Sequence, residues 1–422
     1  MKRVWMQGFL VNKLLCLGMV LVLSFGFMPK VGADEFQVGA KHVIAVEVGT
    51  GRVLYEKEAQ KRAAIASLTK LLTAYLVLEK VASGDVQLTD SVTISDYAYG
   101  LTSDASLSNV PFEKRDYVLK DLLAACLVAS SNSAAIALAD HVSGSEAAFV
   151  NQMKEQLVKW HIEDFKLVNA SGLPNELLGS SVYPGSGPDD ENELSAEAVA
   201  LIAMHLVENF PEVLEITKQA QIDFDGTTVK SFNQLLPGMP HARSSVDGLK
   251  TGTTEKAGHC LVASSVENGM RVITVLMNTD HSEQNSAARF EETDKLLNYI
   301  KEEYRTYQLV TKNKALSQKE LAVIDGKKDH VSLIPQKDFK VVVQKGEKLP
   351  KITDMNLSSK SIQAPVTKGQ LVSSLLPLKH QDVSVRFLKE GEAIPLKAKE
   401  AIAVKPSLVQ SWWEYIMEWF KA

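Results

Sequence analysis

The chain has 422 residues, 45% of them hydrophobic and 23% charged, with 24 glycines and 14 prolines. These fractions exclude a disordered, collagenous or low-complexity chain, and the length calls for more than one domain. A net charge of −5 argues against a general nucleic-acid binder, and 3 cysteines without C-x-x-C spacing exclude a disulfide framework or a cysteine metal site.

Lys2, Arg3 and Lys13 precede an apolar run from Leu14 to Met28, followed by the small residues Val31-Gly32-Ala33 and then Asp34. This is the layout of a secretory leader, so residues 1–33 are read as a signal peptide, and an uncleaved anchor is the alternative. Removal of the leader takes Cys16 with it.

His42 to Val46 and Val53 to Tyr55, joined across Gly49-Thr50-Gly51, read as a β-hairpin. Ser67 to Lys80 is apolar on nearly all sides and predicts a buried helix. Residues 117–142 are helical on both sides of Ser130-Ser131-Asn132, 174–192 form a loop, and 195–218 are helical again. After Lys250-Thr251-Gly252, the runs His259 to Ser265 and Arg271 to Asn278 flank Asn268-Gly269, a strong hairpin signal. Glu291 to Tyr304 predicts a last helix. The expected fold is α/β mixed (α+β), with an antiparallel sheet drawn from both ends of residues 34–305 and packed on helices. From 306 to 403, short β runs separated by Gly, Pro and Lys predict a small all-β C-terminal domain.

The segment 404–422 ends the chain. Leu408, Val409, Trp412, Trp413, Ile416, Trp419 and Phe420 share one helical face, while Ser411, Glu414, Glu418 and Lys421 lie opposite. It is shorter than the ~20 residues a membrane span requires, and tryptophan suits the membrane interface. The expectation is a peripheral anchor on a membrane surface. A terminal helix docked on the protein itself or on a partner is the alternative, and a polar face without basic character predicts weak attraction to anionic lipid.

Three clusters carry chemistry: Ser67-Leu68-Thr69-Lys70, Ser130-Ser131-Asn132 and Lys250-Thr251-Gly252, the order S-x-x-K, S-x-N, K-T-G. Ser67 heads a helix, where backbone N–H groups and the dipole favour developing negative charge. Lys70 lies one turn on, on the same face, and a desolvated lysine can take the proton of a serine hydroxyl. Ser130 and Lys250 form a second polar wall able to pass a proton to a departing amine. Asn132 and Thr251 offer donors to a substrate amide and carboxylate, and Gly252 lets a substrate backbone approach the strand. Singly, each residue has a plain reading: Ser67 an N-cap, Lys70 a snorkelling surface lysine, Asn132 a turn residue, Gly252 a bulge. As an ordered set they point to a serine acyl-transfer site.

With these motifs, and with Ile65-Ala66-Ser67-Leu68-Thr69-Lys70-Leu71 and Val246-Asp247-Gly248-Leu249-Lys250-Thr251-Gly252 around them, the chain resembles the low-molecular-mass penicillin-binding proteins, serine-type D-alanyl-D-alanine carboxypeptidases. The resemblance implies a β-lactamase/transpeptidase-like catalytic domain, with Ser67 as acylated nucleophile, Lys70 as base, and Ser130 with Lys250 in proton transfer. It also implies an oxyanion hole from the N–H groups of Ser67 and Thr253, and substrate contacts from Asn132, Thr251, Gly252 and Thr253. The implied partners are a peptidoglycan pentapeptide ending in D-Ala-D-Ala, β-lactams as covalent inhibitors, and the outer face of the bacterial cytoplasmic membrane. No cofactor, metal or nucleic acid is expected.

One departure stands out. Relatives can carry an arginine late in the strand after the K-T-G hairpin to bind the terminal carboxylate, whereas here Leu276-Met277-Asn278-Thr279 occupies that region. Carboxylate binding is therefore expected to lean on Thr251 and Thr253; Arg243 is read as a surface loop residue, with help at the carboxylate as its alternative. A zinc carboxypeptidase is disfavoured, because the 9 histidines form no H-E-x-x-H. A secreted β-lactamase would need a water-holding glutamate, and Glu191-Asn192-Glu193-Leu194-Ser195 only loosely echoes that segment. A catalytically weak binding scaffold is the other alternative. Cys126 and Cys260 are read as small buried hydrophobes.

Overall fold

The structure is a computed structural model that describes residues 36–377 and 385–420. The leader read at residues 1–33 lies outside the described residues.

Strand β1, Ala40–Glu47, and β2, Val53–Lys57, form the predicted early hairpin. The buried helix α1, Lys70–Ser83, follows a 3-10 turn at Ala66–Thr69. Helices α2 (Leu119–Leu127) and α3 (Asn132–Ser143) meet at the S-x-N corner, and α4 (Glu146–Lys159) and α5 (Ala196–Asn209) complete the helical layer. The chain then returns as β3 (Val246–Thr254), β4 (Gly258–Glu267) and β5 (Met270–Thr279), before helix α6, Ala288–Glu303.

Among the described residues the main sheet runs β2-β1-β5-β4-β3, every neighbour antiparallel. Early and late strands thus join in one sheet as the sequence predicts, meeting at the β1–β5 seam where Ile44 lies opposite Val275. The β4–β5 turn places Asn268 at φ 51° and Gly269 at φ 76°, the left-handed pair a two-residue hairpin requires. Helix α1 is buried from Lys70 to Leu78, as an all-apolar surface demands. Its core joins Leu71, Leu72 and Val77 to Ile136, Val199 and Val275.

The second domain is all-β, as expected. Its strands are β6 (Tyr304–Val310), β7 (Glu320–Ile324), β8 (His330–Pro335), β9 (Phe339–Gln344), β10 (Ser361–Gln363), β11 (Leu371–Leu375) and β12 (Ile394–Ala398). They pair as β6-β9 and as β10-β7-β8-β12-β11 around a separate core of Leu321, Val331, Leu333, Leu375 and Leu396.

The second domain also reaches back to the first. Val53 N donates to Arg386 O at 2.9 Å and Leu388 N to Gly51 O at 2.8 Å, so residues 386–388 extend the catalytic sheet beside β2. Arg386 binds Glu197 at 2.6 Å and also pairs with Glu56, while Lys389 pairs with Glu208. From the other direction Arg52 donates to Glu347 at 2.8 Å, and the Tyr304 hydroxyl donates to Leu54 O at 2.7 Å. The chain ends in α7, Leu408–Trp419, capped by Ser407.

Candidate active site

The nucleophile turn takes its shape from its neighbours. Ala66 is held at φ 47°, and Gly172 packs so closely that a Cβ on it would sit 1.9 Å from Ala66 O. Ile65 N donates to Asn192 O at 3.0 Å, and Asn192 Nδ2 donates to Thr69 Oγ1 at 3.0 Å. Ser67 is thereby presented, half-buried, at the head of α1.

Lys70 is fully buried, which overturns its reading as a surface lysine. Its Nζ donates to Ser67 Oγ at 2.9 Å, Asn132 Oδ1 at 2.7 Å and Ser171 O at 2.7 Å. Burial opposes its positive charge and brings its pKa down to about 8. Across the cleft Lys250 Nζ donates to Ser130 Oγ at 2.9 Å and to Thr251 O at 2.8 Å. Lys250 is buried as well, and burial with the like charge of Lys70 holds it well below the usual lysine value. Ser130 adopts φ 57°, which turns the chain sharply between α2 and α3.

Asn132 opens α3, and its Nδ2 donates to Ser108 O at 3.0 Å, so its side chain bridges Lys70 and a flanking loop. Gly252 faces the nucleophile turn, with Ile65 O and the Ala66 Cβ just beyond where a side chain would begin. Thr251 is buried and Thr253 exposed on the same strand. The fold therefore gathers two hydrogen-bonded sets, Ser67–Lys70–Asn132 and Ser130–Lys250, with Thr251, Gly252 and Thr253 along the adjoining strand. Such a site can activate a hydroxyl and protonate a leaving group.

One arginine joins the site unexpectedly, and the reading of another is corrected. An arginine does serve the K-T-G strand, but it comes from α6. Arg289 Nη1 donates to Thr253 Oγ1 at 3.0 Å and to Gly252 O at 3.2 Å, and its buried Nε has no partner among the described residues. Burial lowers its pKa. A strand-by-strand search of the sequence could not find it, because only packing of α6 over β4 brings it there. Arg243, read as a surface residue, is largely buried and engages Glu267 at 2.9 Å, Asp294 at 2.7 Å and Asn298 at 2.7 Å. It ties its loop to the β4–β5 hairpin and α6.

The sequence reading also missed the segment Asn169–Gly172, which walls Lys70 from below. Glu191 accepts from Thr254 Oγ1 at 2.7 Å and is buried. Cys126 and Cys260 are buried with free thiols, each pushed up to about 11 by burial.

Residues 29–281 match the family profile described as D-alanyl-D-alanine carboxypeptidase, and residues 304–404 match that of the penicillin-binding protein 5 C-terminal domain. The chain is 27% identical over 370 residues to the D-alanyl-D-alanine carboxypeptidase DacF of Bacillus subtilis, covering 87% of each. It is 30% identical over 363 residues to DacC of Escherichia coli, covering 83% of this chain and 84% of that one. Among solved structures, a peptidoglycan synthesis regulatory factor (PBP3) from Streptococcus pneumoniae superposes with a TM-score of 0.80 at 43% identity, covering 87% of this chain and 100% of that one. Since the first profile alone spans more than half the chain, over the domain that holds this site, the protein belongs to the D-alanyl-D-alanine carboxypeptidase family.

Proposed function

We propose that the protein removes the terminal D-alanine from peptidoglycan stem pentapeptides through an acyl-enzyme on Ser67, and that β-lactams acylate the same hydroxyl. One observation carries the reading: Lys70, buried and brought down to about 8, donates to Ser67 Oγ at 2.9 Å. A lysine so placed needs only to lose one proton to accept that of Ser67.

In this scheme Ser67 Oγ attacks the carbonyl carbon of the scissile amide as its proton passes to Lys70. The N–H groups of Ser67 and Thr253 hold the resulting oxyanion. The C–N bond then breaks as Ser130, in contact with Lys250, gives its proton to the D-alanine amine, and the proton that Lys70 took from Ser67 restores the Ser130 hydroxyl and leaves Lys70 neutral again. Water attacks the ester, its proton passes to the neutral Lys70 and from there to Ser67 Oγ as the ester C–O bond breaks, which frees the acid product and regenerates Ser67. Asn132 addresses the substrate amide, and the strand Lys250-Thr251-Gly252-Thr253 receives its backbone. Arg289 joins Thr251 and Thr253 at the terminal carboxylate, supported by its guanidinium's place against Thr253 and Gly252. The glutamate-held water of a β-lactamase finds no support here, because Glu191 is engaged by Thr254.

The reading includes export through residues 1–33 and peripheral attachment of 404–422 to the outer face of the cytoplasmic membrane. Among the described residues no helix is long and apolar enough to cross a membrane. Trp412, Trp413, Trp419 and Phe420 are 73%, 66%, 72% and 73% exposed, which supports an interfacial anchor over a helix docked on the protein's own core.

The test is D-alanine release from a pentapeptide ending in D-Ala-D-Ala, with wild type beside Ser67→Ala. Wild type should release one D-alanine per peptide and take up labelled penicillin, and the variant should do neither. Acylation without release in wild type would refute the carboxypeptidase assignment.

A further inference from the structure

Lys70 is held by two side chains and one backbone carbonyl, and the carbonyl has its own support. Ser171 O accepts from Lys70 Nζ at 2.7 Å. One residue earlier, Ala170 is fixed at both ends: its carbonyl accepts from Thr73 Oγ1 at 2.7 Å, and its N–H donates to Glu146 Oε1 at 2.9 Å. Thr73 belongs to α1, the helix that carries Lys70, whereas Glu146 is the first residue of α4. The Asn169 side chain completes the arrangement by accepting from Ser171 N at 3.2 Å and Gly172 N at 2.6 Å. The segment is thus strapped between two helices, with Glu146 as its only described tie to α4 through Ala170 N.

Nothing in the capping of α4 requires a carboxylate at this position. Ser145 already caps the helix, its Oγ accepting from Ala148 N at 3.2 Å. Glu146 faces Asp140 from α3, Tyr97 from the short helix Asp96–Gly100, and Lys70 from α1, and burial beside the Asp140 carboxylate pushes its pKa up to about 7. Burying a carboxyl group costs free energy unless a specific contact offsets it, and the contact here is the Ala170 N–H.

We propose that Glu146 is a positioning residue for the reaction: its carboxylate fixes the Ala170–Ser171 backbone, and the Ser171 carbonyl then aims the Lys70 amine at the Ser67 hydroxyl. The chain of contacts runs from Glu146 Oε1 to Ala170 N, along the backbone to Ser171 O, and on to Lys70 Nζ and Ser67 Oγ. A swing of the amine through an ångström lengthens the Ser67 contact beyond proton-transfer reach, and displacements of that size cost up to about a hundredfold in rate. The proposal rests on Lys70 acting as the base.

The experiment separates the rate constant of acylation by penicillin from the dissociation constant of the preceding non-covalent complex, using the whole protein. Glu146→Ala should lower the acylation rate constant by about ten- to a hundredfold while leaving the dissociation constant within about twofold. Glu146→Gln keeps an oxygen for Ala170 N and should recover most of the rate, whereas Glu146→Asp falls short of Ala170 N and should resemble the alanine variant. Should the alanine variant fail to fold, the Asp and Gln pair decides. Wild-type acylation in Glu146→Ala or Glu146→Asp, a Gln variant as slow as they are, or a loss confined to the dissociation constant would each overturn the proposal. Lys70→Ala serves as the control: if it acylates normally, the base assignment itself fails, and if it is inert while Glu146→Ala is normal, only the role of Glu146 fails.

Discussion

Lys250 Nζ donates to Ser130 Oγ across 2.9 Å, although 120 positions separate the two residues. One sits inside β3 and the other on the turn between α2 and α3, so the bond spans the cleft between sheet and helices. Burial there, with the like charge of Lys70 nearby, lowers the tendency of Lys250 to hold its proton.

If Ser130 passes the proton to the leaving amine, Ser130→Ala should slow acylation by about a hundred- to ten-thousandfold. The variant should stay folded, because loss of one hydrogen bond costs about 1 kcal/mol. Stopped-flow acylation beside thermal denaturation checks both. A variant that acylates at the wild-type rate removes Ser130 from the scheme.

The pH dependence follows from Lys70. A lysine is cationic below its pKa, and only the neutral amine accepts the Ser67 proton. With a pKa brought down to about 8, the acylation rate should climb with pH between 6 and 8 and level off above. Below the midpoint the slope should approach about tenfold per pH unit. A rising limb centred near the ordinary lysine value would show that burial does not tune this residue.

Arg289→Ala should raise the KM for a peptide with a free terminal carboxylate far more than it lowers kcat. Loss of a charge-assisted contact is worth about 2 kcal/mol, or roughly thirtyfold in KM. A substrate whose C-terminus is amidated should show little difference between wild type and variant. Equal sensitivity of both substrates would place the carboxylate elsewhere.

Gly172→Ala should be among the most damaging single substitutions in the first domain. The residue adopts φ 82°, and its new Cβ would lie 1.9 Å from Ala66 O in the turn that presents Ser67. Strain and displacement together should cost on the order of 3 kcal/mol and reduce penicillin labelling. Denaturant melts of the purified variant measure the first and a labelling assay the second.

Deleting residues 406–422 should release soluble protein that still labels with penicillin, since Ser67, Lys70, Ser130 and Lys250 all lie outside that segment. Fractionation of full-length and truncated protein provides the check. A truncated form that still pellets with membranes, or a full-length form that never does, argues against the anchor.

Much of this arrangement is legible in the sequence because it is local. The S-x-x-K spacing places Lys70 one turn from Ser67, and the Asn268-Gly269 turn forces β4 and β5 together whatever the rest of the chain does. The alternation of apolar residues along β8 and β12 likewise marks a half-buried sheet. Arg289, Glu146 and the Asn169–Gly172 segment are not legible, because their importance comes from packing between distant elements and none lies at a diagnostic spacing. Arg243 misled for the same reason: its loop suggests solvent, while Glu267 and Asp294, far along the chain, enclose it.

The contribution of residues 386–388 to the catalytic sheet bears on how the protein is cut or inherited as modules. Those residues cover the rim of β2, whose backbone groups at Gly51 and Val53 they satisfy. A fragment ending after α6 would keep every motif residue yet leave that rim bare, a template for pairing with other chains. Arg386 and Lys389 would be missing too, leaving Glu56, Glu197 and Glu208 without their partners. The isolated first domain should therefore clump during expression, and a solubilising change on β2 should rescue it where a change at the catalytic cleft does not.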